Sequence, residues 1–133
     1  MSLARRLLLG LWSGWLLAQG LVFAPLAFAV GLDRSAAGRL AGTGFMAVAY
    51  ASLLLGTAVY LCRPRTVGRR VREAVFALVP GAILVGCHLG LRPLMAERGP
   101  YFAVAHGASS IAYLLATAAV IALWIRDERR AGR

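Results

Sequence analysis

The chain has 133 residues, of which 60% are hydrophobic, and its mean hydropathy is +0.73; soluble domains hold about 45–50% apolar residues. Fifteen arginines, no lysine and five carboxylates leave a formal charge of +10. A chain this short and this apolar excludes a soluble catalytic domain. It leaves room for one integral-membrane domain over residues 1–133, with four spans of about 20 residues each.

The first apolar stretch, residues 7–30, follows a basic start at Arg5 and Arg6. Its Ala27-Phe28-Ala29 sequence resembles a leader cleavage site, but the run exceeds 20 residues, whereas secretory apolar cores are about 7–15 residues long. It is therefore read as a retained span. Gly10, Gly14 and Ala18 recur every four residues, a small-residue seam along which helix backbones approach closely. Gln19 sits near mid-depth, and Pro25, like Pro80 in the third stretch, is expected to free a carbonyl and bend its helix. Asp33 is placed to N-cap the next helix.

The second stretch, residues 40–62, places Tyr50 and Ser52 near mid-depth and Cys62 at its end. The third, residues 71–91, repeats the small-residue spacing in Ala82, Gly86 and Gly90, and carries Pro80, Cys87 and His88. The fourth, residues 101–125, holds His106, Gly107, Ser109, Ser110, Tyr113 and Thr117, with Gly107 a further small packing position. Apart from Arg72 and Glu73 at the very start of the third, none of the four contains a charged side chain. As helices they are about 31–37 Å long, against a hydrocarbon core of about 30 Å. Without the period-2 alternation of a barrel, helices are the way to satisfy the backbone in lipid. The expected fold is all-α: an antiparallel four-helix transmembrane bundle.

Arginine placement sets the expected orientation. Eleven lie on one side of the spans (Arg5, Arg6, Arg63, Arg65, Arg69, Arg70, Arg72, Arg126, Arg129, Arg130, Arg133), and four on the other (Arg34, Arg39, Arg92, Arg98). The positive-inside rule then puts both termini and the middle loop in the cytoplasm, in a bacterial inner membrane. The charge is read as topology and attraction to anionic lipid. Nucleic acid is not an expected partner, because no aromatic residues interleave the arginines. Cys62 and Cys87 fall near opposite ends of their spans, too far apart to pair within one chain.

On a helix, His106, Ser110, Tyr113 and Thr117 form one stripe, expected to turn inward. With Gln19, Tyr50, Ser52 and Ser109 they make an expected polar cluster, either register-fixing hydrogen bonds or a small polar cavity. His88 and His106 fall at similar depth on antiparallel spans, so they could bind haem b or copper, with Cys87 or Met95 adding a sulfur. Catalysis finds little support: Asp33, Glu73, Glu97, Asp127 and Glu128 all fall in expected loops or the tail, with Glu73 beside the loop arginines. Proton-coupled export through an embedded glutamate is not expected, since Gln19 occupies the comparable depth in the first span.

The stretch LWSGWLLAQGLVFAPLAFAVGLDRSAAGRLAGTGF resembles the start of a bacterial family of small four-span proteins, the domain of unknown function 4149, related to the eukaryotic transmembrane protein 205. Trp12, Gly14, Ala24, Pro25, Phe28, Leu32, Arg34, Ala37, Gly38 and Phe45 carry the likeness. A second block, LRPLMAERGPYFAVAHGASSIAYLL, is similar through Pro93, Met95, Phe102, His106, Gly107 and Ser109; His88 lies outside the pattern. The resemblance implies a four-span bundle and carries no established activity. The expected role is a structural or accessory component acting with another membrane protein, with lipid or as a homo-oligomer. A haem or copper protein and a transport facilitator are the alternatives.

Overall fold

In the computed structural model, described for residues 2–31, 33–62, 70–96 and 99–131, the chain is helical with no strand among those residues. Leu32, Arg63, Arg65, Arg69, Glu97, Arg98 and Arg133 lie outside them. Helix α1 (Leu3–Ala18) runs through a π-helical turn, Gln19–Phe23, into α2 (Ala24–Ala29). Then follow α3 (Arg34–Leu61), α4 (Arg70–Ala96) and α5 (Phe102–Ala131). With α1 to α2 counted as one span, four helices among the described residues are long and apolar enough to cross a membrane. Each outruns its apolar stretch, because the flanking arginines continue the helix.

Local chemistry sets the ends. The Ser2 hydroxyl accepts from Arg5 N–H at 3.3 Å to cap α1. Asp33, with extended φ −60° and ψ 153°, accepts from Ala36 N–H at 2.8 Å to cap α3, as expected from its position. Gly31 takes φ +77° just after α2, a conformation that glycine reaches without Cβ strain. Just before Pro25, where a bend is expected, the structure has the π turn. Proline has no N–H and its ring crowds the preceding turn, so the helix takes up an i to i+5 step in which Ala24 N–H donates to Gln19 O. Helix α4 continues through both Pro80 and Pro93.

The helices form a ring. Helix α4 packs most extensively against α3 and α5, and α1 lies across α3 and α5, while the diagonal pairs α1/α4 and α3/α5 make no close backbone contact among the described residues. The centre is filled by Leu9, Trp12, Leu16, Val48, Val59, Ala77, Leu84, Ala116, Val120 and Leu123. Only 22–28% of each span's most apolar stretch is buried inside the bundle; the remaining surface, with Leu54 73% and Val104 72% exposed, suits acyl chains.

The α3–α4 approach depends on two glycines. A Cβ on Gly56 would fall onto the Ala77 carbonyl oxygen, with the Trp12 ring at 3.1 Å, and one on Gly81 would lie 2.7 Å from the backbone N and Cα of Leu53. The small-residue seam expected on other positions differs. Gly10 makes an ordinary contact, 3.8 Å from the Trp124 ring, but a Cβ at Gly14, Gly86, Gly90 or Gly107 would meet open space. Spacing alone cannot tell which face of a helix turns inward, and here those four glycines face away from the helix contacts.

Candidate functional site

At one end of the bundle, where α1 and α4 begin and α3 and α5 finish, charged side chains are buried together. Arg5 is 2% exposed, Asp127 7% and Glu73 8%. The Arg5 guanidinium on α1 donates through Nε to Asp127 Oδ2 on α5 at 2.6 Å, through Nη1 to Val59 O on α3 at 2.8 Å, and through Nη2 to Glu73 Oε2 on α4 at 2.9 Å. One side chain therefore ties all four spans, including the α1/α4 diagonal that the backbones leave open. A planar guanidinium with donors in fixed directions can do this; a flexible ammonium is a point charge.

Helix ends favour most of this arrangement. Glu73 lies in the first turn of α4, where the macrodipole is positive. Val59 O is among the last four carbonyls of α3, which have no intrahelical donor. Asp127, near the C-terminal end of α5, is unfavourable there by itself, and Arg5 offsets it. The other Glu73 oxygen accepts from Arg126 Nη2 at 2.8 Å and lies 3.5 Å from Arg130 Nη1. Arg126 also sits with Cζ 5.2 Å above the Phe76 ring, while its Nε and Nη1 are buried without an acceptor. Outside this layer, Arg6 pairs with Glu128 at 2.8 Å. The two carboxylates expected to lie in a loop and the tail are thus helical and buried. Glu73 has its partners on the first and last helices.

Beside the layer, an open groove of about 430 Å³ is lined by Ala122, Ile125, Arg126, Arg129 and Arg130 of α5. Arg129 has no ion-pair partner among the described residues. This groove joins an apolar floor to a cationic rim.

The residues expected to form one polar cluster are divided among several contacts. Ser52 Oγ accepts from Trp12 Nε1 at 2.9 Å, joining α1 and α3. Tyr113 donates to Leu16 O at 2.5 Å, meets Phe45 edge-on at 5.0 Å, and its ring lies where a Cβ on Gly20 would come within 3.0 Å. Gln19 is buried, with its amide against Gly44. Tyr50 is exposed, with its ring 6.2 Å from that of His88. Ser110 donates to His106 O one turn back, and Ser109 Oγ is buried without a partner.

The stripe from His106 to Thr117 turns inward only at its lower half: His106 and Ser110 are exposed, Tyr113 is half-buried and Thr117 is buried. The Ser110 and Thr117 hydroxyls bond their own helix, so neither needs a neighbouring one. His106 stacks on Phe102 of its own helix at 5.7 Å, whereas His88 faces Tyr50. The two rings have different neighbours, and no group of three or more metal-ligating His, Cys, Asp or Glu occurs among the described residues. Cys62 and Cys87 are both free thiols.

Sequence reasoning missed Arg5, Glu73, Asp127 and Arg126 as a unit. The available signal was opposite charges within a turn of the span ends on one side: Arg5 before the first apolar stretch, Glu73 just inside the third, and Asp127 just after the fourth.

A family model described as a domain of unknown function (DUF4149) matches residues 7–98. The match holds the first resembling block entire, together with Pro93 and Met95 of the second; Phe102, His106, Gly107 and Ser109 lie beyond it. No curated protein and no solved structure matches the chain. Most of the sequence lies inside the family match and four apolar helices follow the expected plan, so the chain belongs to the DUF4149 family of four-span membrane proteins.

Proposed function

We propose that the protein is a structural or accessory component of the bacterial cytoplasmic membrane, working with another membrane protein and holding both termini on the cytoplasmic side. The observation that carries this reading is the use made of its buried polar groups. Arg5, Glu73 and Asp127 join all four spans, Trp12 and Ser52 join α1 to α3, and Tyr113 joins α5 to α1. Polar chemistry in the interior thus holds a preformed unit, while its apolar exterior meets lipid and neighbouring helices. The buried charged layer lies at the end richer in arginine, which supports the cytoplasmic assignment.

The test is site-specific photocrosslinking of the full chain in its own membrane, from the outward-facing positions Leu21, Leu54, Leu89 and Leu114, followed by purification in mild detergent and mass spectrometry. The expected result is one protein adduct confined to neighbouring positions on one face. Adducts to lipid alone from every position, with the chain recovered as a lone monomer, would overturn the accessory reading.

A further inference from the structure

We propose that the groove on the last turns of α5 holds an anionic phospholipid, with its phosphate on Arg129 and Arg130 and an acyl chain along Ala122 and Ile125. This inference rests on the bilayer setting and does not depend on the partner protein proposed above.

Charge accounting at the buried layer leaves a surplus at the groove. Arg5 and Arg126 balance Glu73 and Asp127 at 2.6–3.4 Å, and Arg6 balances Glu128. Arg129 has no carboxylate partner among the described residues, and Arg130, 40% exposed, reaches Glu73 only at 3.5 Å, on an oxygen that Arg126 already occupies. Two cations at the rim therefore lack a full counter-charge. Arg126, which also lines the groove, keeps Nε and Nη1 without acceptors. An oxyanion at the rim supplies the missing charge.

The geometry selects a lipid over a free anion. From Ala122 to Arg130 the groove follows the helix axis for about 12 Å, and its floor belongs to the apolar span of α5. The headgroup layer is about 5–8 Å thick on each side of the hydrocarbon. One end of the groove therefore lies at acyl-chain depth when the arginines lie at phosphate depth. A soluble phosphate would leave Ala122 and Ile125 unused, whereas a phospholipid covers both parts. Basic pockets at the membrane face bind anionic headgroups by this division of contacts.

The experiment uses the full-length protein in detergent micelles with phosphatidylglycerol or phosphatidylcholine at equal concentration, read by native mass spectrometry. Phosphatidylglycerol should be retained preferentially, with about five-fold lower affinity for each arginine removed and roughly thirty-fold lower for Arg129→Gln with Arg130→Gln. Both side chains are exposed, so thermal unfolding of the double variant should match the wild type and separate loss of binding from loss of fold. The control Arg34→Gln with Arg39→Gln removes equal charge at the other end and should keep the preference. Equal retention of both lipids, unchanged binding in the Arg129/Arg130 variant, or equal loss in the control would overturn the site. Competition by inorganic phosphate at the lipid's own concentration would overturn the lipid as its occupant.

Discussion

Arg5 shows how much one residue can decide in a membrane bundle. Its three bonds at 2.6–2.9 Å reach α3, α4 and α5 from α1, so its loss removes the one side chain among the described residues that joins all four spans. Arg5→Ala leaves two buried carboxylates short of a counter-charge and Val59 O without its donor. Breaking a buried ion pair from one side costs about 3–5 kcal/mol, and unfolding in detergent should show a loss of that size. Arg5→Lys keeps the charge without the three-way geometry, so its stability should fall between alanine and wild type. A lysine variant as stable as wild type would mean that charge alone matters here. The sequence displayed Arg5, Glu73 and Asp127 as flanking charges, legible as topology; which carboxylate meets which arginine depends on helix rotation, which charge counts do not contain.

For whole helices, the decisive contrast lies between glycines that look alike in sequence. Gly81→Ala places a methyl 2.7 Å from the Leu53 backbone, which cannot rotate away, so α3 and α4 must separate; overpacking of this kind costs about 1–3 kcal/mol. Gly86→Ala adds a methyl in open space and should be neutral or stabilising by up to about 1 kcal/mol, because alanine is the better helix former. Thermal midpoints of the two variants under one condition test this. Helix α3 also carries a pH-dependent end. The Asp33 carboxyl is held below its ordinary value chiefly by the Ala36 N–H, with burial opposing and the Ser35 N–H and Arg39 assisting. Its pKa is lower when folded, so the cap's contribution is present above the unfolded value of 3.8 and is lost as pH falls through the folded one. Amide exchange at Ala36 and Ala37, corrected for intrinsic rates, should therefore quicken below pH 3.8, and Asp33→Ala should show the quicker exchange at neutral pH as well.

At the scale of the molecule, the proposed orientation gives a direct test. In a variant carrying Cys62→Ala and Cys87→Ala, single cysteines Val67→Cys and Ala131→Cys should react with an impermeant maleimide only from the cytoplasmic side, and Ser35→Cys only from outside. The reverse pattern would invert the topology and move the basic groove to the outer leaflet. The ring of helices makes this readout unambiguous, because the ends of α1, α3, α4 and α5 that share the Arg5 contacts must lie on the same side.

Four spans, their all-helical character and the family were legible from composition and motifs, because lipid forces every backbone polar group to be satisfied within its own helix, and an apolar run of sufficient length admits little else. The Asp33 cap was legible for a similarly local reason. The tertiary structure decided everything that depends on helix rotation: that Gly56 and Gly81, rather than Gly14, Gly86, Gly90 and Gly107, carry the close approach, that the His106 stripe faces outward at its upper half, and that Arg5 rather than a histidine is the hub of the buried polar chemistry. In water, the apolar stripe of a helix announces which side is inside. A helix that is apolar all round, facing lipid on one side and protein on the other, carries no such mark, and only packing against its neighbours selects the face.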